Sequence, residues 1–164
     1  MDIKILFLEC IAMCFILFLP CVLLIAGGAH HAAFFYEKEV QDRVVELGLI
    51  TRERIERNRK AFKYSFIFVM VSFAIWAVYW INGARGFWQP FWQLYVLTMA
   101  EGMFDLLFID WYWVEHTKAW IIPGTEDLRP YITKNQLVFK WGFTLVGNPL
   151  MADTLVGIML IFIR

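Results

Sequence analysis

Apolar and polar stretches alternate along this chain, and four of the apolar ones are long. They cover residues 3–27, 62–82, 91–113 and 137–163, near the roughly 20 residues a helix needs to cross the hydrocarbon core of a bilayer. The first run carries Glu9 in its early turns and Pro20 near its middle, where a kink is expected. Between the first two runs lies a polar insert, 36–61. Val40, Val44 and Leu47 form an i, i+4, i+7 stripe there, which predicts a short amphipathic helix. Gly48 suits the left-handed position after that helix. Thr51 then caps a second helix that continues into the next span. No charge falls between Tyr64 and Ala84, and Trp76, Tyr79 and Trp80 predict an aromatic belt at the far end of that run. The last run contains Asn148-Pro149, read as a proline kink or, alternatively, as the cap of a second half-helix.

The pattern predicts an all-α integral membrane protein: four transmembrane helices, with a cytoplasmic helical hairpin between spans one and two. Composition strengthens this, because 60% of the residues are hydrophobic and 18% aromatic, more than a soluble domain of 164 residues can bury. Fifteen Lys and Arg balance fifteen Asp and Glu, so no basic excess points to nucleic acid. The early apolar run is too long, and its basic flank too thin, for a cleavable signal. Cys10, Cys14 and Cys21 share one face of the first span and form no disulfide framework. They read as a helix contact or, with Met13, Met99 or Met103, as a soft-metal or redox site.

Charge sets the topology. The first loop holds Lys38, Arg43, Arg52, Arg54, Arg57, Arg59, Lys60 and Lys63, the second only Arg85, the third Lys118, Arg129 and Lys134. The positive-inside rule puts loops one and three in the cytoplasm and both termini outside, as for a protein of the bacterial cytoplasmic membrane. At ~1.5 Å per residue, Glu101 and Asp153 then each lie about 15 Å from the outer edge. Glu9 is shallower and Asp105 somewhat deeper, and no Lys or Arg shares their level. Glu101 and Asp105 are one helical turn apart, and charges about 6 Å apart repel by roughly 3 kcal/mol at an effective dielectric near 20. Carboxylates at such depth normally face a protein interior or a water-filled cavity, and must share protons or a cation. Glu9, Glu101, Asp105 and Asp153 are therefore the candidate proton- or cation-binding residues. At 100° per residue Glu101, Asp105, Tyr112, Glu115 and His116 share a sector, while Asp110 points away and is expected to pair with Lys140.

All three histidines fall at the inner face. His30, His31, Glu115 and His116 are adequate ligands for a divalent metal, zinc or iron, although no HExxH or ExxH spacing is present. No histidine sits at mid-depth for haem, and no Gly-rich phosphate loop is seen.

Two local resemblances enter here. The string VVELGLITRERIERNRKAF (Val44–Phe62) resembles the SHOCT helical hairpin, whose turn also reads Gly-hydrophobic-Ile-Thr before a charged helix. That resemblance implies a protein-contact element; the residues alone favour a plain helix–turn–helix connector. The block IDWYWVEHTKAWIIPGTEDLRPYI (Ile109–Ile132) resembles small four-span bacterial membrane proteins of unassigned function, and imports none. Three functions follow as expectations: a proton- or cation-coupled transporter or channel subunit, a membrane-embedded enzyme using the inner-face His/carboxylate set, or a non-catalytic subunit of a membrane complex. Transport ranks first, because unpaired acids in a span are expensive unless used. Four spans seldom enclose a pathway alone, so that reading calls for a homo-oligomer or a larger complex in the lipid bilayer.

Overall fold

The computed structural model describes residues 2–162; over them the chain is helical, with no strand. α1 (Ile3–Ala26) begins where the Asp2 side chain accepts the Lys4 N–H and carries Pro20 inside it. A 3₁₀ turn (Ala29–Phe35) leads to α2 (Lys38–Glu46). Gly48 follows at φ +71°, and the bonds Gly48 N–H to Val45 O and Leu49 N–H to Val44 O close a Schellman cap. Thr51 accepts the Arg54 N–H and starts α3 (Arg52–Ile81), whose last turns over Trp76–Ile81 are π-helical. After the loop 82–87, α4 runs as an α-helix over Trp88–Phe104 and continues as a π-helix over Asp105–Val114. α5 (Lys134–Phe162) starts in a capping box between Thr133 and Gln136 and has a π-helical turn at Phe143–Gly147.

Among the described residues α1, α3 and α5 are long and apolar enough to cross a membrane. α4 is comparably long but carries Glu101, Asp105 and Asp110. Ile163, which the sequence assigns to the last span, lies outside the described residues.

α4 is the central helix, packed between α1 and the second half of α5. Leu94 and Leu97 on α4, Ala74, Ala77 and Val78 on α3, and Ala152 and Val156 on α5 close one apolar core. Small residues at these crossings let the backbones approach. Gly102 shows this most directly: a Cβ there would lie 2.8 Å from Thr144 Cγ2 and 3.2 Å from Asn148 Nδ2.

A second core joins the first and third loops. Tyr36 stacks on Tyr131 with ring centroids 4.6 Å apart, and its hydroxyl donates to Trp120 O at 3.2 Å. The Tyr131 and Thr125 hydroxyls bond at 2.7 Å, and Val40, Val44, Ile55 and Ile122 fill the space around them. Burial first, then the neighbouring Tyr131, pushes the Tyr36 hydroxyl well above the ordinary phenol range, so it remains a donor. Arg43 reaches Asp127, and Thr133 donates to Glu37 at 3.2 Å. Loops one and three therefore lie at the same end of the bundle.

Two sequence expectations are corrected. Tyr79 is buried, not part of a belt; the exposed rings around the second loop are Trp76, Trp80, Trp88 and Trp92. The π-helical turn at Trp76–Ile81 shifts the helical phase and turns Tyr79 inward. Asn148 does not cap a half-helix either. Its backbone is helical, and its N–H bonds back to Phe143 O. Pro149 supplies no N–H and crowds the carbonyl four residues earlier. The wider π turn takes up that misfit without breaking α5.

Candidate functional site

The charged centre lies between the two apolar cores, and the π-helical part of α4 builds it. In an α-helix residues five apart point to different sides; with i→i+5 hydrogen bonding they come round to the same side. Asp105 and Asp110 therefore face the same way, and Lys140 from α5 meets both. Its Nζ donates to Asp105 Oδ2 at 2.9 Å and to Asp110 Oδ2 at 2.6 Å. Asp110 is 4% exposed and Asp105 half-buried. The expected Asp110–Lys140 pair is present, but the helical wheel that turned Asp110 away from Asp105 does not hold. The expectation that no basic residue shares the level of Asp105 fails as well, because a lysine stem of four carbons spans several ångströms of depth.

Glu101 lies one turn before Asp105. It is half-buried, and among the described residues its carboxylate has no hydrogen-bond or ion-pair partner. It forms part of the wall of two cavities. One, of about 350 Å³, runs toward the loop-one and loop-three core and is lined by Cys21, Tyr36, Phe62 and Trp120. The other, of about 390 Å³, runs the opposite way past Met13, Met70 and Asn148. Phe66, Glu101, Asp105, Phe139 and Lys140 belong to both.

The remaining sequence candidates are elsewhere. Glu9 is buried, but Asn82 at the end of α3 holds it, donating to its two carboxylate oxygens at 2.9 and 3.1 Å. Asp153 is exposed on α5, whose buried face carries Asn148, Ala152 and Val156 at four-residue intervals. The four acids thus do not form one group, because depth along a helix fixes height and not direction. Only Glu101 and Asp105 converge.

The inner-face set also separates. The His30 and His31 rings lie 4.3 Å apart after α1. Burial, then His31 and Arg54, holds His30 below the ordinary histidine range. His116 Nδ1 is taken up by Trp111 O. Glu115 accepts the Ile132 N–H at 3.2 Å, and its carbonyl accepts from Arg129. Among the described residues no three of His, Cys, Asp and Glu are grouped closely enough to hold a metal ion. The cysteines are free, and the Cys14 thiol donates to Ala100 O at 3.8 Å.

Sequence reasoning missed Asn148, whose Nδ2 donates to Thr98 O at 2.9 Å and ties α5 to α4 beside the second cavity. An amide in an apolar run was the available signal, and the adjacent proline drew the reading to a kink, or alternatively a cap, instead of a contact between helices. Trp120, which its place in the third loop suited to a membrane interface, is instead packed inside the core that joins the first and third loops. It is 2% exposed, and its indole N–H has no acceptor among the described residues.

Comparison with protein-family models, with characterised proteins and with solved structures finds no match to this chain.

Proposed function

We propose that this chain is a four-crossing membrane protein that moves protons or small cations, working as a homo-oligomer or within a larger complex, with Glu101 as the exchanging carboxylate. The observation that carries the reading is the charge balance at the centre. Lys140 offsets one of its two aspartate partners. Glu101, on the wall of both cavities, is left with no side chain among the described residues paired to its own charge. A carboxylate in a span is stable when a proton, a cation or water completes its surroundings, and the cavities supply the space. Asp105–Lys140–Asp110 is then a fixed clamp that holds α4 and α5 together and keeps a mobile cation from settling on the aspartates.

Support for the fourth crossing comes from the loops. The first and third share a core, so α3 and α4 run out and back between them. The basic excess of the first loop favours the cytoplasm for that end, with both termini outside. The α2–α3 turn, at that end, is the protein-contact element of this reading.

The test is flux in proteoliposomes made with purified protein. Wild type should show pH-dependent proton or monovalent-cation flux, and Glu101→Gln should reduce it at least tenfold while the protein stays folded. Infrared difference spectra across pH should contain a carboxyl band that Glu101→Gln removes. Unchanged flux in that variant, or a band indifferent to it, would refute the assignment.

A further inference from the structure

The cavity on the loop side is larger and more aromatic than an inorganic ion needs. Phe62, Phe66 and Phe139 present rings to it, together with Tyr36 and Trp120. Its volume, about 350 Å³, falls in the range of pockets that enclose small organic molecules. The polar end is lopsided in charge, with Glu101, Asp105 and Asp110 against Lys140 alone. Carboxylates select a cation, and the surrounding ring faces attract an organic cation over a hydrated metal ion. Trp120, almost wholly buried, lines the same cavity and holds an indole N–H that no group among the described residues accepts.

Access is lateral. α3 and the first half of α5 make little direct contact, and Phe66 of α3 and Phe139 of α5 border both cavities along the gap between them. Phe139 is 73% exposed, so the gap opens on the side of the bundle that lipid would cover. An apolar ligand in the bilayer reaches the acids through this opening without crossing the loop core.

Resting on the transport reading of Glu101, we infer that the cation this site takes is a lipophilic organic one: an amine, quaternary ammonium or phosphonium on an apolar body. Its charge sits at Glu101 and its body lies among the phenylalanines. The proton on Glu101 and the organic cation exclude one another.

Tetraphenylphosphonium and tetraphenylborate are near-isosteric ions of opposite sign, which makes them the probes. Equilibrium binding is measured on the full chain in lipid nanodiscs, with empty nanodiscs subtracted. Tetraphenylphosphonium should bind saturably, at least tenfold more tightly at pH 8 than at pH 5, and at least tenfold less tightly to Glu101→Gln. Tetraphenylborate should not saturate. Asp153→Asn, remote from the cavity, should bind like wild type and controls for handling. Equal binding of both ions would mean an apolar pocket with no charge selection, and would overturn the inference. Absence of saturable phosphonium binding, or binding indifferent to Glu101→Gln or to pH, would do the same. The infrared band of Glu101 is read without either probe. If it behaves as described while phosphonium fails to bind, only the organic-cation inference falls. If the band is also absent, the transport reading falls with it.

Discussion

Lys140 is the residue whose loss should be felt most. Among the described residues it is the one basic side chain at the charged centre, and its ammonium bridges two carboxylates on one helix. Removing one partner of a buried ion pair leaves an uncompensated charge, which costs roughly 3–5 kcal/mol. Half-burial of Lys140 and Asp105 places this centre at the lower end of that range. Lys140→Met should therefore lower the thermal midpoint in detergent clearly, by an amount corresponding to about 3 kcal/mol. Adding Asp105→Asn and Asp110→Asn to it should restore most of the loss, because the uncompensated charges go with them. If the triple variant melts no higher than the single one, Lys140 acts through packing and not through charge. Asp110 and Lys140 were legible as a pair because both sit near the same depth. Asp105 was not, since a wheel drawn at 100° per residue cannot represent ten residues of π-helix.

At the scale of elements, the closeness of α4 and α5 sets the geometry of the site. Gly102 permits it: an added Cβ meets the Thr144 side chain at 2.8 Å, inside the closest distance such atoms adopt. Gly102→Val should drive the helices apart and destabilise the protein by about 1–3 kcal/mol, the usual effect of overpacking. It should also loosen the Asn148 bond to Thr98 O and reduce flux more than stability. A disulfide-free melt and a flux assay on the same preparation check both, and a silent substitution would show that the α4–α5 crossing has slack. How much of this was readable follows from what each element depends on. Gly48 and Thr51 announce themselves, because positive φ and N-capping are local chemistry that few residue types satisfy. The positions of α1, α3 and α5, the helices long and apolar enough to cross a membrane, are legible from apolar run length. The role of Asn148, the inward turn of Tyr79 and the packing of Tyr131 on Tyr36 were not. The first and last depend on partners far along the chain, and the first two on π-helical turns that no periodicity in a single sequence reveals.

For the whole molecule, Asp153 is the unresolved charge, and it bears on the homo-oligomer proposed above. Leu150, Asp153, Thr154, Gly157, Ile158 and Ile161 are all exposed, and their spacing of three and four residues puts them on one face of α5. A carboxylate against lipid near mid-span costs about 2.5–3.5 kcal/mol, whereas a polar side chain facing another helix gains a hydrogen bond. Beyond the backbone of its own helix turns, no atom of the described residues lies within 4 Å of where a Gly157 Cβ would be, so a second backbone fits closely there. Two copies related by a two-fold axis along this face bring the Asp153 side chains together, where one shared proton makes a hydrogen bond of two like charges. In a chain whose Cys10, Cys14 and Cys21 are replaced by serine, Gly157→Cys should therefore cross-link between copies in native membranes. Val138→Cys, exposed near the other end of α5, should not. Asp153→Leu should weaken the association by roughly 1 kcal/mol, about fivefold in dissociation constant, and Asp153→Asn should leave it nearly unchanged, since an amide pair still hydrogen-bonds. If Asp153→Leu instead raises thermal stability and the protein sediments as a monomer with or without it, α5 faces lipid, and the partner of this chain must be sought on another surface.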